Sequence, residues 1–187
     1  ADDLKRAAGA EGAYERLATA ASGGGGAALD AARQIEKDLN RTFGGVASVR
    51  IPEAEAQAAL RRVLRAFAAH EPEVGYCQSM NFLAAVLLLV MDEEAAFWCL
   101  VALVRGAGFR GYFSATMEGC LGDQVVLQRA LARACPAAAE HLARLGVAAP
   151  LVATQWFLTA YACTLDLATV LRIWDLFVYY DGALPLP

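Results

Sequence analysis

Two short segments carry residues whose types and spacing are unusual enough to be candidates for chemistry. In Ile35-Glu36-Lys37-Asp38-Leu39-Asn40-Arg41-Thr42-Phe43, an arginine stands where a helix meets a glycine-containing loop. Asp38 lies three residues earlier, close enough along the helix to orient the guanidinium. In Gly75-Tyr76-Cys77-Gln78-Ser79-Met80, a glutamine stands near the start of an apolar helix. It is placed to project from the surface while the rest of the helix anchors it. An arginine brings a permanent charge and several donors in one planar fork. Each residue also has an ordinary explanation taken alone. An arginine near a helix C-terminus complements the dipole, and a glutamine in a first turn is often a cap partner.

Other chemistries find no support. There is no GxxxxGK[ST] loop to cradle a nucleotide, no GxSxG elbow and no HExxH pair. Asp92, Glu93 and Glu94 cluster at a helix start, where dipole and capping account for them. The five cysteines, Cys77, Cys99, Cys120, Cys135 and Cys163, show no CxxC spacing and are odd in number. They read as buried thiols of a reducing compartment rather than a disulfide framework or a zinc site. His70 and His141 lie far apart without nearby ligand partners, so no metal site is expected.

The elements that position these residues read as helices throughout. Alanine supplies much of the 58% hydrophobic content, and strand-favouring residues are sparse. Leu4, Tyr14 and Leu17 suggest one or two short helices at the start, and Ser22 to Gly26 reads as a flexible loop. Leu29 to Asn40 is predicted helical, with Leu29, Ala32, Ile35 and Leu39 forming one apolar stripe. It ends near Arg41, ahead of Gly44 and Gly45. Glu53 to His70 is an amphipathic helix with Leu60, Val63, Leu64 and Phe67 inward and Arg61, Arg62 and Arg65 outward. Glu71-Pro72-Glu73 breaks the chain. Gln78 to Val90 is apolar nearly all round and must be central. Helices over Glu93–Val104, Leu121–Arg133, Pro136–Leu145, Pro150–Cys163 and Leu167–Tyr179 follow, with a turn at Gly106–Gly111. The closing Ala183-Leu184-Pro185-Leu186-Pro187 cannot continue a helix.

A net charge of −4 argues against a general affinity for nucleic acid or anionic membrane. Arg61, Arg62 and Arg65 lack interleaved aromatics and read as a solvated face. The N-terminus has no apolar signal region. Phe82 to Met91 is too short to span a bilayer, and Val147 to Leu165 carries Pro150, Thr154, Gln155, Thr159 and Thr164. No transmembrane segment is expected.

Taken together, the two segments resemble the TBC domain, the Rab GTPase-activating family. Its IxxDxxRT motif matches Ile35, Asp38, Arg41 and Thr42, and its YxQ motif matches Tyr76 and Gln78. Trp156-Phe157-Leu158-Thr159, followed by Arg172-Ile173-Trp174-Asp175, is similar to the family's WFL and RIWD segments. The likeness runs over roughly Tyr14 to Gly182 and makes residues 1–187 one TBC domain or most of one.

The resemblance implies an irregular all-α multi-helix fold and a GTP-bound Rab-family GTPase as partner. Arg41 becomes an arginine finger and Gln78 a glutamine finger that orients the attacking water. Asp38, Thr42 and Tyr76 support them, while Ile35, Trp156, Arg172, Trp174 and Asp175 hold the fold. No cofactor belongs to the chain itself, because GTP and magnesium are carried by the GTPase. A monomer at work in the cytoplasm is expected, recruited to vesicle or organelle membranes through regions outside this chain. The alternative is an inactive TBC-like binding or scaffold module, although such members usually lose the arginine or the glutamine.

Departures from the family pattern stand at five places. Ser79 replaces the usual glycine after the glutamine, and its small size suggests little effect. Gly44 replaces a common proline, which suggests a more mobile Arg41 loop. Leu165-Asp166 stands where the family has Leu-Pro. The N-terminal arginine–tryptophan motif is absent, and the chain stops soon after the RIWD segment, so truncation at either end is expected.

Overall fold

The computed structural model describes residues 12–20, 26–42, 52–105, 109 and 111–179. Among them every regular element is an α-helix. The chain gathers into two compact units, Ala1–Arg105 and Gly106–Pro187. Leu4, most of the Ser22–Gly26 loop, Gly44, Gly45, most of the 106–111 turn and residues 183–187 lie outside the described residues.

The first unit holds α1 (Ala13–Ala20), α2 (Gly26–Thr42), α3 (Glu53–His70), α4 (Met80–Leu88) and α5 (Glu93–Arg105). Helix α3 is the hub and packs against the other four. Leu60, Val63, Leu64 and Phe67 are all fully buried, as their spacing requires. Pro52 precedes the helix and Glu53 and Glu55 occupy its first turn, where the dipole favours them. Each large apolar side chain buried here contributes about 1.5–3 kcal/mol.

Three expectations change. Leu29 is 53% exposed, so the buried stripe of α2 begins further along, at Ile35 and Leu39. The arginines of α3 do not form a merely solvated face. Arg61 and Arg65 both grip Glu36 of α2, at 2.7 and 3.0 Å, and Arg62 grips Glu93 of α5 at 2.5 Å. They tie neighbouring helices together at the margin of the core. Helix α4 begins at Met80 rather than Gln78, because Ser79 has left-handed backbone with φ 91°. It is central as expected, with seven buried residues and neighbours α2, α3 and α5.

The second unit holds α6 (Glu118–Ala134), α7 (Pro136–Arg144), α8 (Ala149–Leu158) and α9 (Leu167–Tyr179). Helix α6 packs on both α7 and α8, and Gln124 of α6 donates to Thr154 Oγ1 of α8 at 2.9 Å. Helix α8 ends at Leu158, not near Cys163, where turns with left-handed Ala160 and Tyr161 take over. No helix among the described residues is long and apolar enough to cross a membrane. The cysteines are not all buried as expected: Cys120 is buried, Cys77 and Cys99 are half-buried, and Cys135 and Cys163 lie exposed on the surface, and none of the five forms a disulfide.

Candidate functional site

The last turn of α2 and the loop before α4 meet through side chains that converge on Asp38. Asp38 is only 5% exposed. Its Oδ1 accepts from Arg41 Nε at 2.9 Å and lies 2.7 Å from Arg41 Nη2. Its Oδ2 accepts from the Tyr76 hydroxyl at 2.5 Å. Its backbone carbonyl accepts from Thr42 Oγ1 at 2.6 Å. A buried carboxylate is costly unless paired and hydrogen-bonded, and here both oxygens are used.

The Arg41 side chain remains 47% exposed. Two of its nitrogens face Asp38, so the other edge of the guanidinium is turned from the carboxylate. Arginine at the end of α2 therefore does more than complement a dipole. It is gripped at its base by a buried anion and left open at its tip.

Gln78 is exposed on the loop between α3 and α4. That loop begins at Glu71, whose carbonyl accepts from both Val74 and Gly75. Gly75 has φ 63°, and a Cβ there would meet nothing within 4 Å. Conformation, not space, asks for glycine at this position. Ser79 is left-handed too, so two such residues bracket Tyr76, Cys77 and Gln78. The property that matters at Ser79 is therefore its φ rather than its volume.

Tyr76 is half-buried, and burial followed by its bond to Asp38 pushes the phenol far above the ordinary tyrosine range. It stays protonated and donates. Burial also pushes the Cys77 thiol up, which keeps it in its unreactive form.

Sequence reasoning missed Asn81. This residue is fully buried on α4, and its Nδ2 donates to Thr42 Oγ1 at 2.9 Å. The available signal was a single amide inside the apolar run that starts at Met80. Thr42 itself is 4% exposed and is bonded on both sides, to Asp38 and to Asn81.

The remaining residues divide. Ile35 is fully buried under the last turns of α2. In the second unit, Trp174 is 5% exposed and its indole N–H donates to the Ala160 carbonyl at 2.9 Å. Trp156 is half-buried and stacks on Tyr161, with ring centroids 6.4 Å apart. Arg172 and Asp175 are exposed on α9.

Residues 27–186 match the Rab-GTPase-TBC domain family. The chain is 45% identical over 150 residues to TBC1 domain family member 2A of Mus musculus, covering 80% of this chain and 16% of that protein. It is 42% identical over 162 residues to small G protein signaling modulator 3 of Rattus norvegicus, covering 83% and 21%. The chain thus spans a minor part of these relatives' length. The crystal structure of the Chlamydomonas flagellar RabGAP TBC domain matches with a TM-score of 0.81 at 28% identity, over 96% of this chain and 58% of that one. That of the Ypt/Rab-GAP domain of Gyp1p shares the fold, with a TM-score of 0.75 at 20% identity, over 90% and 61%.

Proposed function

Because the chain belongs to the Rab-GTPase-TBC domain family, we propose that it accelerates GTP hydrolysis on a Rab-family small GTPase by lending it two side chains. Arg41 enters the GTPase site and neutralises charge building on the β–γ bridging oxygen and the γ-phosphate. Such a finger is worth about 10³ to 10⁵ in rate, or roughly 4–7 kcal/mol of transition-state stabilisation. Asp38 holds the Nε side of the fork, so the outer N–H groups meet the phosphate without a search over rotamers. Gln78 orients the attacking water.

GTP and magnesium belong to the partner, and this chain contributes no turnover site of its own. It acts as a monomer in the cytoplasm, brought to membranes by regions outside this chain. The observation that carries the reading is the joint exposure of Arg41 and Gln78 on segments bonded to each other by Tyr76 and Asp38.

The test is phosphate release from a panel of purified GTP-loaded Rab proteins, with the parent chain, Arg41→Ala and Gln78→Ala. The parent should stimulate at least one Rab, and each substitution should remove most of that stimulation with the fold intact. Parent-like activity in both variants overturns the two-finger mechanism. A parent that binds a Rab without stimulating it favours an inactive binding module.

A further inference from the structure

The Asp38–Tyr76 bond ties the finger segments together, and Asn81 makes a further tie among the described residues. Arg41 lies between Asp38 and Thr42, and Gln78 lies between Tyr76 and Asn81. The bonded pairs are Asp38 with Tyr76 at 2.5 Å and Thr42 with Asn81 at 2.9 Å. Each finger is therefore fastened on both sides to the segment that carries the other.

We propose that Asn81 is a positioning residue that sets the spacing of Arg41 and Gln78 through its bond to Thr42. The inference rests on the two-finger reading above.

Proton accounting fixes the direction of every bond. The Thr42 hydroxyl has one proton and spends it on the Asp38 carbonyl at 2.6 Å. Towards Asn81 it can only accept, so the amide must present Nδ2 to it. That leaves Asn81 Oδ1 facing Tyr76 Oη at 3.5 Å. The phenol also has one proton, and it goes to Asp38 Oδ2 at 2.5 Å. The Tyr76–Asn81 approach is thus a contact and not a second bond. Asn81 reaches the α2 end by a single hydrogen bond, and it makes that bond from a position with no solvent exposure.

An amide is a poor choice for such a position unless its bond has a use. Met80, Leu83, Ala84 and Leu87 around it on α4 are all buried and apolar. A leucine would pack there at similar volume and carry no polar group. The amide instead fixes one register between α4 and the last turn of α2. Helix α4 starts immediately before it, and Ser79 and Gln78 run directly out of that start. Losing the bond frees the start of α4 to shift against Arg41. Catalysis by positioned groups is sensitive to this, since a misplacement near 1 Å can cost about 100-fold.

The experiment uses Asn81→Leu, which keeps the volume and removes the donor, and Thr42→Val and Thr42→Ser as partners. Single-turnover hydrolysis on a responsive GTP-loaded Rab gives the rate at saturating chain and the half-saturating concentration. Asn81→Leu and Thr42→Val should each lower the saturated rate by about 10-fold or more. Half-saturation should change little, and Thr42→Ser should retain most of the rate. The Arg41 Nε–H resonance, read by NMR without any partner, should shift in Asn81→Leu and stay parent-like in Thr42→Ser. A parent-like saturated rate in a folded Asn81→Leu, or an unmoved Arg41 resonance, overturns the proposal. Failure of the parent and all Rabs in the hydrolysis arm instead overturns the two-finger reading, and the resonance still decides whether Asn81 positions Arg41.

Discussion

Tyr76 Oη and Asp38 Oδ2 stand 2.5 Å apart although 38 residues separate them in the chain. This bond joins the loop that carries Gln78 to the helix end that carries Arg41. It also completes the pairing of a carboxylate that would otherwise be buried with one oxygen empty.

Tyr76→Phe removes that donor while keeping the ring. The loss of a hydrogen bond to a charged group should cost about 1.5–3 kcal/mol. Urea unfolding followed by circular dichroism checks it. A variant as stable as the parent would show that Asp38 does not depend on Tyr76. Stimulated GTP hydrolysis should fall as well, since the loop loses an attachment to the end of α2.

Arg41 and Gln78 should differ in what they do for stability. Arg41→Ala leaves the buried Asp38 without its cation and should cost about 1–3 kcal/mol, although Arg41 is half exposed. Gln78→Ala changes an exposed loop side chain and should stay within about 0.5 kcal/mol of the parent. Adding Asp38→Asn to Arg41→Ala should recover part of the loss, because the uncompensated charge is then gone. Equal stability of the two single variants would sink this account of Asp38.

Ser79→Gly should stabilise the chain. A left-handed L-residue costs roughly 1–2 kcal/mol, and φ is 91° at Ser79, whose side chain makes no capping bond. Glycine gives back about 0.5–1 kcal/mol in entropy, so a net gain of up to about 1.5 kcal/mol is expected. The readout is a higher urea midpoint at unchanged slope. A lower midpoint would mean that the serine hydroxyl contributes more than the backbone strain removes.

Stability should decline at both ends of the pH scale. Burial, then the bond to Glu93, holds the Tyr14 phenol above the ordinary range. Burial, then Asp38, does the same for Tyr76. Unfolded tyrosine ionises near about pH 10, whereas these folded phenols do not. Their contribution is therefore full below about pH 10 and is lost as pH rises beyond it. Tyr14→Phe should flatten this alkaline limb. In acid the sign reverses. Hydrogen bonds from Arg61 and Arg62 hold Glu36 and Glu93 below the usual carboxylate range. That contribution is present above about pH 4.3 and fades as pH falls through the depressed values. Urea midpoints across pH 3 to 11 at fixed salt measure both limbs.

Much of the first unit was legible because helix periodicity is a local property. The α3 bounds, Glu53–His70, follow from Pro52, the acidic first turn and the break at Glu71-Pro72. The α2 stripe was legible at Ile35 and Leu39 but not at Leu29, because spacing gives a face and only neighbours decide how far it is covered. Likewise Arg61 and Arg65 lie on the polar side of α3, yet only packing puts Glu36 within their reach.

The site divides along the same line. The sequence by itself determined which side chains are available: Arg41 three residues after Asp38, and Gln78 two after Tyr76, in segments whose pattern marks a family. It also determined that these segments sit at helix ends. Only the tertiary structure decided that Asp38 is the common acceptor of Arg41, Thr42 and Tyr76. It alone turned Asn81 from one polar letter in an apolar helix into the partner of Thr42. Hydrogen bonds require contact within about 3 Å, and contacts between residues 38 or 39 positions apart exist only once α2, α3 and α4 have packed.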